Sequence, residues 1–375
     1  MVLNYPRHLQ IFLSNRCNLA CSYCYVAVNK GESKKLEFSQ IAKASDLLLS
    51  SPSQKKKLIS FLGGEPLLQL PLVLQTADYV RRHAAEPVAI NLYTNGVGLD
   101  RKTLKQLAER DIFTIISLDG ERSVNDLGRV FANGRGSVFD AVTAKIAKLP
   151  DKKNLGINMV VTANGIENLT QNVDFFYRMG FRSINFYPEA YSTLSREELT
   201  ALRKSLKKFA DYYVFLFEAE PWPFSIPAFS SFLERRAGSE SSDWWHSCGN
   251  IVLGFDGNFH ACDKAMSFPP EHPKDSAVGS PERGMDWVKR EAFYAQARRA
   301  ISRSPRRNFT FCPMGVYFYS RWSNRERKPL EDNFREIDSM FSSMFEDILT
   351  RIRAFKNFRA MYSIPVPKTP EPLRI

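Results

Sequence analysis

The sequence predicts an α/β protein: a partial (β/α)6, TIM-like barrel over residues 1–190 and a bridging segment over 191–240, then a second, cysteine-bearing unit over 241–325 and a helical tail over 326–375. Three observations carry this reading. Six apolar runs recur through the first half, each closed by a turn of Gly, Asn, Asp or Pro. Stretches with helical apolar spacing fall between them. The six cysteines divide into Cys17, Cys21 and Cys24 near the start and Cys248, Cys262 and Cys312 in the second unit.

The runs are LQIFLS (9–14), KLISFLGGEP (57–66), VAINLYTNG (88–96), IFTIISLDG (112–120), LGINMVVTANG (155–165) and RSINFYPEA (182–190). They are continuous rather than alternating, which is how parallel strands covered on both faces read. SQIAKASDLLLS, PLVLQTADYVRRHA, RKTLKQLAER and SVFDAVTAKIAKL lie between them with helical spacing. Six strand–helix units make an open barrel, whose chemistry sits at the carboxyl ends of the strands. Those ends read CNLAC, GGEP, TNG, SLDG, TANG and YPEA. The bridge holds a charged amphipathic helix, SREELTALRKSLKKFADYYVFLFEAE, then the Pro-broken, aromatic PWPFSIPAFSSFLERR. The tail from about 330 to 361 has helical apolar spacing and is expected to pack as a helix.

Composition bounds the function classes. At 375 residues, 44% hydrophobic and 13% aromatic, the chain has ample core for about two domains. No stretch approaches the roughly 18 uninterrupted apolar residues of a membrane span. The start, interrupted by Arg7, His8, Asn15 and Arg16, lacks a signal-peptide pattern. A cytoplasmic location is expected, where clustered thiols bind metal or do chemistry more often than they form disulfides. The formal net charge of +12 marks a basic surface suited to an anionic partner. An acidic peptide is favoured over nucleic acid, because no zinc finger or RNA-binding signature is present.

Cys17, Cys21 and Cys24 have the spacing CxxxCxxC on a loop after the first strand. Zinc ordinarily takes a fourth protein ligand nearby, and the following residues, YVAVNKG, offer neither His nor Cys. A [4Fe-4S] cluster held by three thiolates leaves one iron open, and an open iron can bind a substrate.

CxxxCxxCY after the first strand, followed by GGEPLL at 63–68 and then TNG and SLDG in order, resembles the radical S-adenosylmethionine enzymes over the whole first half of the chain. The resemblance implies that Cys17, Cys21 and Cys24 ligate a [4Fe-4S] cluster whose open iron chelates S-adenosylmethionine. It places Tyr25 near the adenine, and Gly63, Gly64 and Glu65 at the methionine ammonium, where glycines permit close approach and a carboxylate complements a cation. Ser117 and Arg129 are candidates for the carboxylate or ribose. Asn95 and Asp119 are strand-end residues that either contact the cofactor or serve as turns.

In the second unit, the Cys248…Gly257-x4-Cys262 pattern resembles the opening of SPASM and Twitch auxiliary-cluster domains. The CPMG around Cys312 lacks the full SPASM array, so the resemblance implies one auxiliary [4Fe-4S] cluster with Cys248, Cys262 and Cys312 as ligands. His246, His260, Asp243 and Asp263 are options for a fourth. Asp263 directly follows a ligand cysteine, and in similar sulfatase-maturing enzymes an acidic residue there accepts a proton. Such enzymes act mostly on peptides. The implied function is hydrogen abstraction from a ribosomally made precursor peptide with a leader, forming an oxidative cross-link from an aromatic side chain to a nearby carbon, as in the cyclophane-forming group. An external one-electron reductant of flavodoxin or ferredoxin type is implied as well. With 16 residues ahead of Cys17, leader recognition is expected on the barrel rim, the basic bridge or the tail. The alternatives are a formylglycine-generating maturase, an alcohol dehydrogenase of the same family, and an RNA modifier using the basic surface.

Overall fold

The computed structural model describes residues 6–26, 28–29, 32–52, 56–149, 151–189, 192–220, 223–236, 249–267, 276–301, 309–323, 327–355 and 358. Within them β1 (His8–Phe12), β2 (Leu58–Leu62), β3 (Ala89–Thr94), β4 (Ile112–Ser117), β5 (Leu155–Val161) and β6 (Ile184–Pro188) follow one another. They pair in chain order and all in parallel. Between them run α1 (Phe38–Leu49), α2 (Leu70–His83), α3 (Arg101–Ala108), α4 (Arg122–Gly128), α5 (Val138–Ile146) and α6 (Leu169–Arg178). This is the expected partial barrel, and helix-start chemistry marks its joints. Asp100 accepts from the Thr103 N–H at 2.6 Å to open α3, and Ser137 accepts from the Asp140 N–H at 2.9 Å to open α5. Helix α4, just after SLDG, was not anticipated.

The sheet does not stop at β1. Strand β7 (Asn250–Leu253) pairs with β1 in parallel, and β8 (Phe259–His260) returns antiparallel to β7, giving the order β6-β5-β4-β3-β2-β1-β7-β8. The second unit therefore begins as an extension of the barrel sheet. An edge strand leaves a row of unpaired backbone groups, and β7 satisfies those of β1. Beyond it come the short hairpin β9 (Gly279–Ser280) and β10 (Gly284–Met285), then α9 (Trp287–Ile301) and α10 (Pro313–Ser323).

The bridge forms α7 (Arg196–Ala219) and α8 (Pro227–Arg236), and the tail forms α11 (Arg327–Ile352). Helix α7 opens with a capping box between Ser195 and Glu198. It packs along α11, tied by Arg351 to Asp211 at 2.7 Å. Phe186 of β6 packs against both Phe209 of α7 and Phe341 of α11, with ring centroids 4.8 and 6.2 Å away, so both helices cover the β6 side of the barrel. Among the described residues no helix is long and apolar enough to cross a membrane.

Candidate functional site

The loop carrying Cys17, Cys21 and Cys24 leaves the carboxyl end of β1 and is held on two sides. Toward β2, the Gly64 N–H donates to Ser14 O and the Glu65 N–H to Arg16 O, both at 2.8 Å. Toward α4, the Ala20 N–H donates to Val130 O and the Ser22 N–H to Gly128 O, both at 2.9 Å. Asn29, in the left-handed region at φ +56°, grips Cys17 from within the loop. It accepts the Cys17 N–H at 3.1 Å and donates to the Cys17 carbonyl at 2.9 Å. The cysteine spacing gives no sign of this bracket.

The GGEP segment is shaped first by this packing. A Cβ on Gly64 would stand 1.9 Å from Arg16 O, and Gly63 sits at φ +131°. Glu65 is 2% exposed. Its carboxylate accepts from the Leu67 N–H at 2.9 Å, the Thr94 hydroxyl at 2.7 Å and the Asn95 N–H at 2.8 Å. The group aimed at an ammonium from the sequence is thus engaged inside the protein as a brace between β2 and β3. Burial pushes its carboxyl pKa up, although the three hydrogen bonds act against that.

Arg129 is likewise engaged inside the protein. Its guanidinium, 7% exposed, forms a bidentate pair with Asp119 at 2.9 and 3.0 Å. Asp119 further accepts the Val160 N–H at 2.9 Å and the Tyr23 hydroxyl. The Arg129 guanidinium lies 5.4 Å from the centre of the Tyr23 ring. Gly128 makes room for that ring, since a Cβ there would come within 2.4 Å of it. Tyr23, inside the cysteine spacing and passed over in the sequence, ties the loop to the ends of β4 and β5. Ser117 closes β4, half-buried and paired in register with Asn158.

Cys17 and Cys21 are partly buried, and Cys24 is exposed. Burial pushes the Cys17 thiol up to about 12, with Glu65, Cys21 and Cys24 adding to the rise. Burial likewise raises Cys21 to about 11, against the Arg129 charge. Without a cation these thiols stay protonated, so metal binding there displaces protons. Among the described residues no three His, Cys, Asp or Glu side chains converge on a point that one metal ion could occupy. A multi-iron cluster makes no such demand, because each thiolate takes a different iron. Three thiols on one loop suit a cluster that takes one thiolate per iron.

In the second unit, Cys262 and Cys312 lie close enough for the charge of one to raise the pKa of the other. Cys248, with His246 and Asp243, lies outside the described residues. His260 is 5% exposed with both ring nitrogens engaged, Nδ1 with Ser276 Oγ at 2.9 Å and Nε2 with the Asp256 carboxylate at 3.1 Å. It is a packed core histidine rather than a ligand. Asp263 has Oδ1 3.6 Å from Cys262 Sγ and Oδ2 2.9 Å from Lys264 Nζ. The Lys264 ammonium stands 4.2 Å from the centre of the Tyr25 ring. Tyr25, assigned to the adenine from the sequence, thus joins the first cysteine loop to the second unit.

A parallel α/β sheet with a three-thiol loop at the end of its first strand is the frame of an iron–sulfur enzyme. Residues 11–163 match the family model of the Radical SAM superfamily. An uncharacterized protein of Methanocaldococcus jannaschii is 30% identical over 217 residues, 56% of this chain and 73% of that protein. The chain belongs to the Radical SAM superfamily, whose cofactors are S-adenosylmethionine and a [4Fe-4S] cluster. It is 25% identical over 186 residues, 47% of its length, to the cysteine-type anaerobic sulfatase-maturating enzyme of Clostridium novyi, and spans 49% of that enzyme. The solved structure of native anSMEcpe with bound AdoMet and Cp18Cys peptide shares the fold, with a TM-score of 0.67 at 18% identity over 96% of this chain and 100% of that one.

Proposed function

We propose that this protein is a radical S-adenosylmethionine peptide maturase that abstracts hydrogen from a ribosomally made precursor peptide and closes an oxidative cross-link from an aromatic side chain to a nearby carbon. The observation that carries the reading is the joining of two cysteine-bearing loops through Tyr25 and Lys264, one at the end of β1 and one after β8. Cys17, Cys21 and Cys24 would hold the first cluster, and Cys248, Cys262 and Cys312 an auxiliary one. S-adenosylmethionine, when bound and reduced by one electron, supplies a 5'-deoxyadenosyl radical, and the cofactor carries that reactivity. An external flavodoxin- or ferredoxin-type carrier is the electron source in this reading.

The chain's own residues position, shield and move a proton. The buried network of Tyr23, Asp119 and Arg129 fixes the first loop against β4 and β5. When the new bond forms, the substrate would give up a proton to Asp263, which Lys264 holds in place at 2.9 Å, and one electron, for which the auxiliary cluster held by Cys248, Cys262 and Cys312 would be the acceptor. Under anaerobic conditions with a chemical reductant, peptides carrying an aromatic residue near one end should stimulate 5'-deoxyadenosine release and emerge two hydrogens lighter. Asp263→Asn should keep the deoxyadenosine and lose most of the product. No deoxyadenosine under any condition would contradict the proposal.

A second reading, oxidation of a cysteine to formylglycine, is favoured by the likeness to the Clostridium novyi enzyme. The same assay decides it, because that product is an aldehyde that reacts with hydrazide probes.

A further inference from the structure

Asn95 follows β3 and is 7% exposed. Its backbone N–H donates to Glu65 at 2.8 Å, and its Oδ1 accepts the Val97 N–H at 3.0 Å. That second bond settles which end of the carboxamide is which, since only the oxygen can accept. The nitrogen is therefore turned the other way, 2.7 Å from Asn18 Oδ1 and 3.8 Å from Cys17 Sγ. The same sulfur receives the Leu19 N–H at 3.3 Å. Cys17 is thus a thiol facing one backbone donor and one side-chain donor. The side-chain donor is aimed by Glu65, which is itself anchored by Thr94 and Leu67.

We propose that Asn95 is a positioning residue for the first cluster: its amide N–H is directed at the Cys17 sulfur and makes a cluster held there easier to reduce, with Glu65 as the bracket that aims it. An N–H donor withdraws negative charge from a thiolate. Charge on cluster sulfur grows on reduction, so the reduced form gains more from the donor than the oxidised form. Glu65 then acts at a distance, through the strand end it braces, and its carboxylate need not touch S-adenosylmethionine.

The inference rests on the reading that Cys17 is a cluster ligand, and its test separates the two. Anaerobically reconstituted wild type, Asn95→Leu, Asn95→Gln and Cys17→Ala are compared by iron content and by EPR-monitored redox titration without substrate. Asn95→Leu, neutral and without a donor, should keep its iron and shift to a more negative potential. At a fixed applied potential its reduced-to-oxidised ratio should fall at least threefold, about 28 mV from 59 mV per tenfold for a one-electron couple. Asn95→Gln, which retains an amide, should stay nearer wild type. Asn95→Ala provides the same comparison if Asn95→Leu fails to load iron. Full iron with an unchanged potential in the donor-free variant overturns the inference. Full iron and an unchanged signal in Cys17→Ala instead overturns the reading beneath it.

Discussion

Arg129 and Asp119 show why single residues were the hardest part to read. The sequence offers Arg129 as a long cation near a strand end, ready for a carboxylate. It cannot say that the carboxylate is Asp119, ten residues earlier, or that Tyr23 shares it from 96 residues away. Glu65 has partners that are hidden from the sequence in the same way, because Thr94 and Asn95 arrive from another strand. A buried pair broken on one side leaves an uncompensated charge. Arg129→Met is therefore expected to cost about 3–5 kcal/mol, and the double variant Arg129→Met/Asp119→Asn less than that, by urea denaturation. His8 gives a pH signature. Burial lowers its pKa to about 4, outweighing Asn250 and Asp263, which raise it. The fold thus keeps the ring neutral while the unfolded chain takes up a proton near pH 6.5. Its stabilisation is complete above that pH and is lost as the pH falls toward 4, by about 2–3 kcal/mol. His8→Gln should flatten the stability–pH slope between pH 6.5 and 4, and an unchanged slope would show that His8 is not its source.

At the scale of elements the sequence was a good guide wherever a pattern is local. The six barrel strands, the helices α1, α2, α3 and α5, and the long helices of bridge and tail follow from apolar periodicity and caps within one segment. Helix α4 was missed because its seven residues, RSVNDLG, are too few to show a period. Strand β7 was missed because NIVL is short and its partner is the first strand of the chain. Gly64 of GGEP, besides its expected place at the cofactor, is required by the Arg16 backbone, which the sequence does not reveal. Gly64→Ala should displace the Cys17 loop and reduce the iron retained after reconstitution by half or more. Gly128→Ala, which presses on the Tyr23 ring, should do the same through the opposite side of the loop. Normal iron in both would mean that the loop does not need these anchors.

At the scale of the molecule, the second unit completes the first. It pairs β7 onto the β1 edge and buries Phe12 and Val26 with Val252, Phe255 and Met266. It also sets Lys264 over Tyr25. A chain ended at residue 236 should expose that edge and apolar cluster, bind a hydrophobic dye and aggregate, where the full chain does not. Within this architecture the two cysteine triplets would hold two clusters serving one reaction.

The most direct test is iron and sulfide per chain on anaerobically reconstituted wild type and a Cys17/Cys21/Cys24→Ala triple variant, with EPR before and after S-adenosylmethionine. Two [4Fe-4S] sites predict about eight irons in wild type and about four in the variant, with a wild-type signal that S-adenosylmethionine perturbs. About four irons in wild type and none in the variant would contradict the account, because Cys248, Cys262 and Cys312 would then hold no cluster.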